Sequence, residues 1–302
     1  MKYSHDTCTM KEQKKRNKSS TTIALRKFYE ENKYALLRND ETFDNLIDLA
    51  DFWTDVDDQD EDKFSNDVLK RLFVLNYAPN GMWTYFVSVY YMKNRDKDGH
   101  FKGKEFCQFL DKIIAFIWAY AVTNPGVNAL RTHIYAEMIN VVNDEPVTFN
   151  DFLFDVDQVK NAFSNYEFTN SRRLTRSMLT WWAFHNPKQK LLKLKSNYDI
   201  EHIYAKDLQE KEDSFIDPDL IESLGNKSLL ERKINRSASN HLFEFKRKLY
   251  RGEFNNKRTE IKDLLDIAEK PVFKEFDIGQ RDDEIIHRFI EFMNNNDLLK
   301  KK

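Results

Sequence analysis

Three stretches carry the residues that could do chemistry: Tyr198-Asp199-Ile200-Glu201-His202-Ile203-Tyr204, Leu224-Gly225-Asn226-Lys227-Ser228-Leu229-Leu230, and the run from Asn235 to Lys246. They place a carboxylate beside a histidine, then a Gly-Asn pair, then a second cluster of asparagines. Such a set offers one general base and two hard oxygen ligands. Histidine suits proton abstraction because its unperturbed pKa, ~6.5, lies near working pH. Carboxylate and amide oxygens suit a Mg²⁺-like cation rather than zinc held by soft ligands. A metal-dependent nuclease can use this spacing.

The elements that must position these residues are short. Tyr198 to Ala205 is rich in β-branched and aromatic residues and reads as a strand. Lys206 to Leu220 is polar and acidic with one proline, hence a loop, and Leu224 to Leu230 supplies a second strand. Ser237 or Ser239 can cap a helix running to Tyr250. Strand, loop, strand and helix make a ββα unit. In a regular strand Glu201 and His202 face opposite ways, so a shared site requires a departure from strand geometry there.

Upstream, the pattern is helical. Leu25, Phe28, Tyr29, Leu36, Leu46 and Leu49 recur at helical spacing over Thr22–Ala50, interrupted near Arg38-Asn39-Asp40. Asp51 to Asp67 reads as an acidic loop with Phe52 and Trp53 as anchors. Helices are expected at Val68–Ala78, Met82–Asn94, Gly103–Thr123, Val127–Asn143 and Val147–Ala162, with Asn124-Pro125-Gly126 as a stop signal. Ser171–His185 is a further helix that ends before Asn186-Pro187, because a residue preceding proline is pushed away from helical geometry. A last helix is expected over Asp282–Leu299.

Composition agrees with this reading. Seven Gly and six Pro against 24 Phe and 13 Tyr in 302 residues favour a mainly α protein with a sizeable core. Charged residues make up 32% of the chain, and the most apolar run, Ile113–Val122, is too short to cross a membrane and reads as a buried helix. Met1–Asn17 is polar and basic, unlike a signal peptide. Cys8 and Cys107 have no paired spacing, so neither a disulfide framework nor a zinc knuckle is indicated. A cytoplasmic protein is expected.

The net charge of −2 hides an asymmetry. Asp40–Asp67 holds twelve acidic residues against one basic, whereas Ser171–Glu260 holds nineteen basic against thirteen acidic, a local +6. A basic half that also carries the reactive residues is what phosphate-backbone binding needs.

Taken in order, Asp199-Ile200-Glu201-His202-Ile203, Leu224-Gly225-Asn226-Lys227-Ser228-Leu229-Leu230 and Ile234-Asn235-Arg236-Ser237-Ala238-Ser239-Asn240 with Lys246 resemble the His-Me finger (HNH) nuclease motif. They resemble more closely the C-terminal nuclease domain of GmrSD-type modification-dependent restriction proteins, over roughly Ser171–Arg281, with Ile278-x-x-Arg281 similar to that family's closing segment. The spacing from Gly225-Asn226 to Asn235 and Asn240 is also similar to the HNH domain of CRISPR effector nucleases. The resemblance implies His202 as general base, Glu201 and Asn235 as ligands of one Mg²⁺ (or Mn²⁺), and Asn226 as the residue that holds the loop carrying the histidine. It implies phosphate contacts for Arg236 and Lys246, and a nucleic-acid-facing surface that takes in Asn240, Arg172 and Arg173. Two departures stand out. Many HNH enzymes carry His at the last motif position, so His241 beside Asn240 is a rival ligand. The GmrSD-type pattern usually has a proline shortly after the base histidine, where this chain reads Tyr204-Ala205.

The expected fold is therefore mainly α: a helical bundle followed by a ββα-metal unit embedded in helices. The expected divisions are N-terminal helices and an acidic loop over 1–67, a helical domain over 68–190, and the HNH-like domain with the C-terminal helix over 191–302. No motif of the ParB-like nucleotide-binding domain that usually opens GmrSD-type proteins is present. The chain thus resembles the C-terminal half of such a protein, with DNA as substrate and a ParB-like NTPase as partner subunit. A Mg²⁺-dependent DNA endonuclease acting in restriction of foreign DNA is the leading expectation. The alternatives are a catalytically weak ββα module that binds DNA or a partner, and a helical interaction protein in which the motif is coincidence.

Overall fold

A computed structural model describes residues 25–96, 99, 103–124, 130–206, 217–254 and 256–301. Among these the fold is mainly α with one two-stranded sheet. In chain order the helices are α1 (Leu25–Glu31), α2 (Asp40–Asp58), α3 (Asn66–Asn76), α4 (Met82–Asn94), α5 (Gly103–Thr123), α6 (Leu130–Val142), α7 (Val156–Ser164) and α8 (Arg173–His185). Strands β1 (Tyr198–His202) and β2 (Lys227–Glu231) follow, then α9 (Arg232–Ala238), α10 (Phe243–Tyr250), α11 (Lys262–Ala268) and α12 (Glu275–Asn295). The expectations for Met1–Ser20, Cys8, Pro125-Gly126 and much of the loop after Lys206 fall outside the described residues.

The chain forms two compact units. The first takes the described residues of 1–69, 80–155 and 296–302, and the second takes 70–79 and 156–295.

In the first unit, α5 is the core. Its apolar residues run round the whole helix, and Phe106, Leu110, Ile113, Ile114, Phe116, Ile117 and Trp118 are all buried. By length and composition α5 could cross a membrane, but 61% of its most apolar window is buried inside the protein, which marks a core helix. Phe116 stacks on Phe149 at 3.8 Å, and Phe86 meets Phe109 edge-on.

Two expectations fail here. The acidic stretch is not a loop up to Asp58, because α2 continues through it. Phe52 and Val56 are buried on one face while Asp44, Asp51, Asp57 and Asp58 are exposed, so packing overrides the poor helix propensity of Asp. Asn39 starts α2 by accepting the Glu41 amide at 3.1 Å. Nor is Val147–Ala162 one helix. The buried Glu137 carboxylate accepts the Thr148 and Phe149 amides at 3.0 and 2.6 Å, Phe149 adopts a left-handed φ of 54°, and α7 begins only at Val156. Those captured amides are unavailable to a helix ladder.

In the second unit, α8 packs on β2, α9 packs on both strands, and α12 packs on the 3₁₀ turn Leu224–Asn226. The expected second strand is thus half turn and half strand. The expected helix capped by Ser237 or Ser239 is instead two helices, α9 and α10. Ser239 takes φ 38° and ψ −137°, which ends α9, and α10 restarts after Leu242. The last helix starts at Glu275, seven residues before the expected position, and ends at Asn295; Leu299 beyond it belongs to the first unit, where it bridges Phe154.

Candidate active site

The site is built on the antiparallel pair β1–β2, whose register sets Glu201 opposite Ser228 and His202 opposite Lys227. Successive side chains of a strand leave on opposite faces, and the two partner sets reflect this.

Glu201 faces α10. The residue is 3% exposed, and its Oε1 accepts Tyr250 OH at 2.6 Å and pairs with Lys246 Nζ at 2.8 Å. Lys246 Nζ also donates to the carbonyl of His202 at 2.6 Å, so one ammonium ties the carboxylate to the histidine's own backbone. Burial raises the Glu201 carboxyl above the usual range, against the opposing pull of Lys246 and Tyr250. Burial and the nearby carboxylate push the Tyr250 phenol up as well, so it remains a donor. Both bonds fall on Oε1, which leaves Oε2 as the atom for another ligand.

His202 faces the 3₁₀ turn Pro218–Glu222. Its Nε2 lies 3.5 Å from Glu222 Oε1, close enough for charge interaction but too loosely aligned for a hydrogen bond, and this nitrogen is otherwise a buried atom without a partner. Burial first, and the Lys227 charge second, bring the imidazole pKa down to about 4, with Glu222 opposing. Glu222 is itself clamped by Lys206 Nζ at 3.0 Å and by Lys227 Nζ. Burial would raise its carboxyl, but the two ammonium groups outweigh this and hold it at about 2. Lys227 is fully buried and also donates to the Phe168 carbonyl.

β1 ends at His202, and the next two residues are held by Asn226. Its Oδ1 accepts Tyr204 N–H at 2.8 Å, its Nδ2 donates to Tyr204 O at 3.0 Å and Ile221 O at 3.1 Å, and its own carbonyl accepts Ile203 N–H at 2.9 Å. Gly225 allows this turn to press on α12. A Cβ there would lie 2.2 Å from the Ile278 carbonyl, and Gly225 N–H donates to Asp282 Oδ1 at 2.8 Å. Arg281 completes the support. Its Nη1 reaches the carbonyls of Leu224, Gly225 and Lys227 at 2.8–2.9 Å, and its Nη2 meets Asp263 at 2.6 Å.

The remaining expected site residues are placed as follows. Asn235 lies half-buried on α9, the helix that leaves β2 directly and packs on both strands. Arg236 and Asn240 are exposed. Lys246 is only 1% exposed, so in this structure it is an internal strut and not a surface contact for phosphate. Arg172 is exposed, stacked over Tyr166 at 4.6 Å and 3.6 Å from Glu167, while Arg173 donates to the Asn76 carbonyl at 2.8 Å. His241, the rival ligand, packs against Phe245 with ring centroids 4.2 Å apart and the planes tilted by 40°.

Glu222, Lys227 and Tyr250 were not anticipated. A lysine opening the apolar run Lys227-Ser228-Leu229-Leu230, with a carboxylate five residues before it, is the signal that could have found the first two.

Among the described residues no three His, Cys, Asp or Glu side chains gather to hold a metal. Glu201 and His202 leave β1 on opposite faces, so the strand does not itself bring the carboxylate beside the histidine. By donor type, Glu201 and Asn235 carry hard oxygens of the kind Mg²⁺ takes.

The chain's similarity to known proteins lies almost wholly in the second unit. Residues 154–288 match the family model described as GmrSD restriction endonucleases, C-terminal domain. No curated protein and no solved structure matches the chain.

Proposed function

We propose that the chain, whose residues 154–288 match the family model of the GmrSD restriction endonucleases' C-terminal domain, is a metal-dependent DNA endonuclease with His202 as its general base. The observation that carries this reading is the Asn226 clamp. Three hydrogen bonds fix Ile203 and Tyr204, the two residues that follow His202, and a fourth ties the same amide to Ile221, so the end of the strand bearing the histidine and Glu201 is held.

In this reading His202 removes a proton from water, the resulting hydroxide attacks phosphorus, and the bond from phosphorus to the 3′-oxygen breaks. The leaving 3′-oxygen takes a proton from solvent. Burial and Lys227 keep the imidazole neutral at neutral pH, so its lone pair is free there, and they lower its basicity while Glu222 opposes them. Glu201 and Asn235 would hold one Mg²⁺, which when bound acts as a Lewis acid toward the phosphate and the leaving oxygen. Tyr250 and Lys246 keep the Glu201 carboxylate in place from the opposite side. Exposed Arg236 and Arg172 would add sequence-blind phosphate contacts. Restriction of modified or phage DNA, and a ParB-like partner subunit carrying the nucleotide control, complete the proposal.

One observation favours the weaker alternative, a DNA-binding or docking module. Lys246 already sets a positive charge against Glu201, where a cation's charge would otherwise be needed. Metal dependence separates the two readings. Supercoiled plasmid, unmodified and carrying glucosylated or methylated cytosine, should be nicked with Mg²⁺ or Mn²⁺ and left intact with chelator. DNA binding that is indifferent to the metal, with no cleavage even beside a ParB-like partner, would move the assignment to the binding module.

A further inference from the structure

Glu222 lies outside every motif discussed above, yet it is the acidic group closest to the buried ring nitrogen of His202. Its Oε1 is 3.5 Å from Nε2. That nitrogen is shielded from solvent and has no hydrogen-bond partner. A buried polar atom left unsatisfied is costly, so such atoms persist where a task requires them. The carboxylate that could satisfy it is held from two other directions, by Lys206 at 3.0 Å and by the fully buried Lys227. Lys227 stands directly across the sheet from His202, so the same strand pairing that places the histidine also places the anchor of Glu222.

We propose that Glu222 is the positioning residue of His202: it accepts the Nε2–H, selects that tautomer, and leaves the Nδ1 lone pair for the attacking water. This rests on the nuclease reading given above. The geometry matches the general arrangement of an acid–base site, in which a base is oriented by a third group. Hydrogen bonds of this kind are commonly long before substrate arrives and tighten in the productive complex. When His202 takes the proton from water, the new positive charge on the ring is shared toward Glu222, and no proton needs to move onto the carboxylate. Lys206 and Lys227 favour the ionised form of Glu222, which makes it an acceptor only. The imidazole must then be the donor at Nε2.

The test reads the tautomer directly and needs no activity. Long-range proton–nitrogen NMR spectra of histidine-¹⁵N-labelled full chain at pH 7, with His202 assigned by loss of its signals in His202→Ala, should show Nε2 protonated and Nδ1 bare. Glu222→Gln should shift this equilibrium, and in plasmid nicking with Mg²⁺ it should lower kcat by at least about tenfold with KM for DNA unchanged. Glu222→Asp should recover part of the loss. Because Glu222→Gln leaves the buried Lys227 without its charge partner, the double variant Glu222→Gln/Lys227→Met supplies a second case with that stress removed, and the same tautomer shift is expected. A wild-type His202 protonated at Nδ1 overturns the proposal, as does a tautomer indifferent to both variants. If the Nε2–H tautomer depends on Glu222 but no metal gives cleavage, the positioning role stands and the nuclease reading fails instead.

Discussion

Asn226 and Tyr204 exchange two hydrogen bonds, Tyr204 N–H to Oδ1 at 2.8 Å and Nδ2 to Tyr204 O at 3.0 Å, which makes the buried amide a template for the turn beyond His202. Both groups of one peptide residue are satisfied by one side chain, and Ile221 O takes the remaining amide proton. Asn226→Ala strands a buried donor and two carbonyls, so stability should fall by about 2–4 kcal/mol. Asn226→Asp should be at least as harmful, because a carboxylate oxygen would then face the Tyr204 and Ile221 carbonyls. Urea unfolding of both variants measures the loss, and a change within about 0.5 kcal/mol would show that the turn holds itself.

The Gly225 position is set by close approach to α12. Gly225→Ala would place its Cβ against the Ile278 carbonyl and the Asp282 backbone, neither of which can rotate away. A loss of about 3 kcal/mol is expected. Arg281→Lys keeps the charge but cannot reach three carbonyls and Asp263 together, so it should also destabilise. The two thermal shifts should be less than additive, since both loosen the same turn.

Lys246 and Glu201 form a buried pair, and breaking such a pair leaves an uncompensated charge. Lys246→Met should cost about 3–5 kcal/mol alone, and the double variant Lys246→Met/Glu201→Gln should cost much less than the two single changes together. A double-mutant cycle by urea denaturation in chelator checks this. Additive losses would mean that the pair contributes little.

Acid should weaken the fold in a defined order. His202 titrates near 4 in the folded protein and near 6.5 unfolded, so the unfolded chain binds more protons in that window. Stability is therefore complete above pH 6.5 and falls as pH drops toward 4, by on the order of 3 kcal/mol. Glu222, near 2 folded against 4.5 unfolded, adds stability that is present above 4.5 and lost as pH falls through 2. The urea midpoint in chelator should decline between pH 7 and 5, and His202→Gln should flatten that decline. An unchanged slope in the variant would locate the sensitivity elsewhere.

Much of this was legible in the sequence because it rests on local rules. Met82–Asn94 and Gly103–Thr123 are bounded by polar residues and filled with apolar ones, and both helices begin and end where that pattern does. Gly225-Asn226 and Glu201-His202 were legible because their residue types are chemically demanding. What was hidden depends on tertiary partners. Nothing local says that Glu137 captures the amides of Thr148 and Phe149 and so prevents a helix there. Nothing local says that Lys246 turns inward to Glu201, since lysines are ordinarily solvated. Glu222 becomes meaningful only once the turn before Asn226 brings it beside His202.

In the proposed nuclease, His202 acts with Glu201 and Asn235 in phosphodiester hydrolysis. The most direct measurement is nicking of supercoiled plasmid by folded wild type, His202→Ala and Asn235→Ala, each with Mg²⁺, Mn²⁺ and chelator. Metal-dependent nicking by the wild type, reduced by at least about a hundredfold in His202→Ala and lost in Asn235→Ala, is the predicted result. Nicking that survives in His202→Ala, or that proceeds equally in chelator, would contradict it.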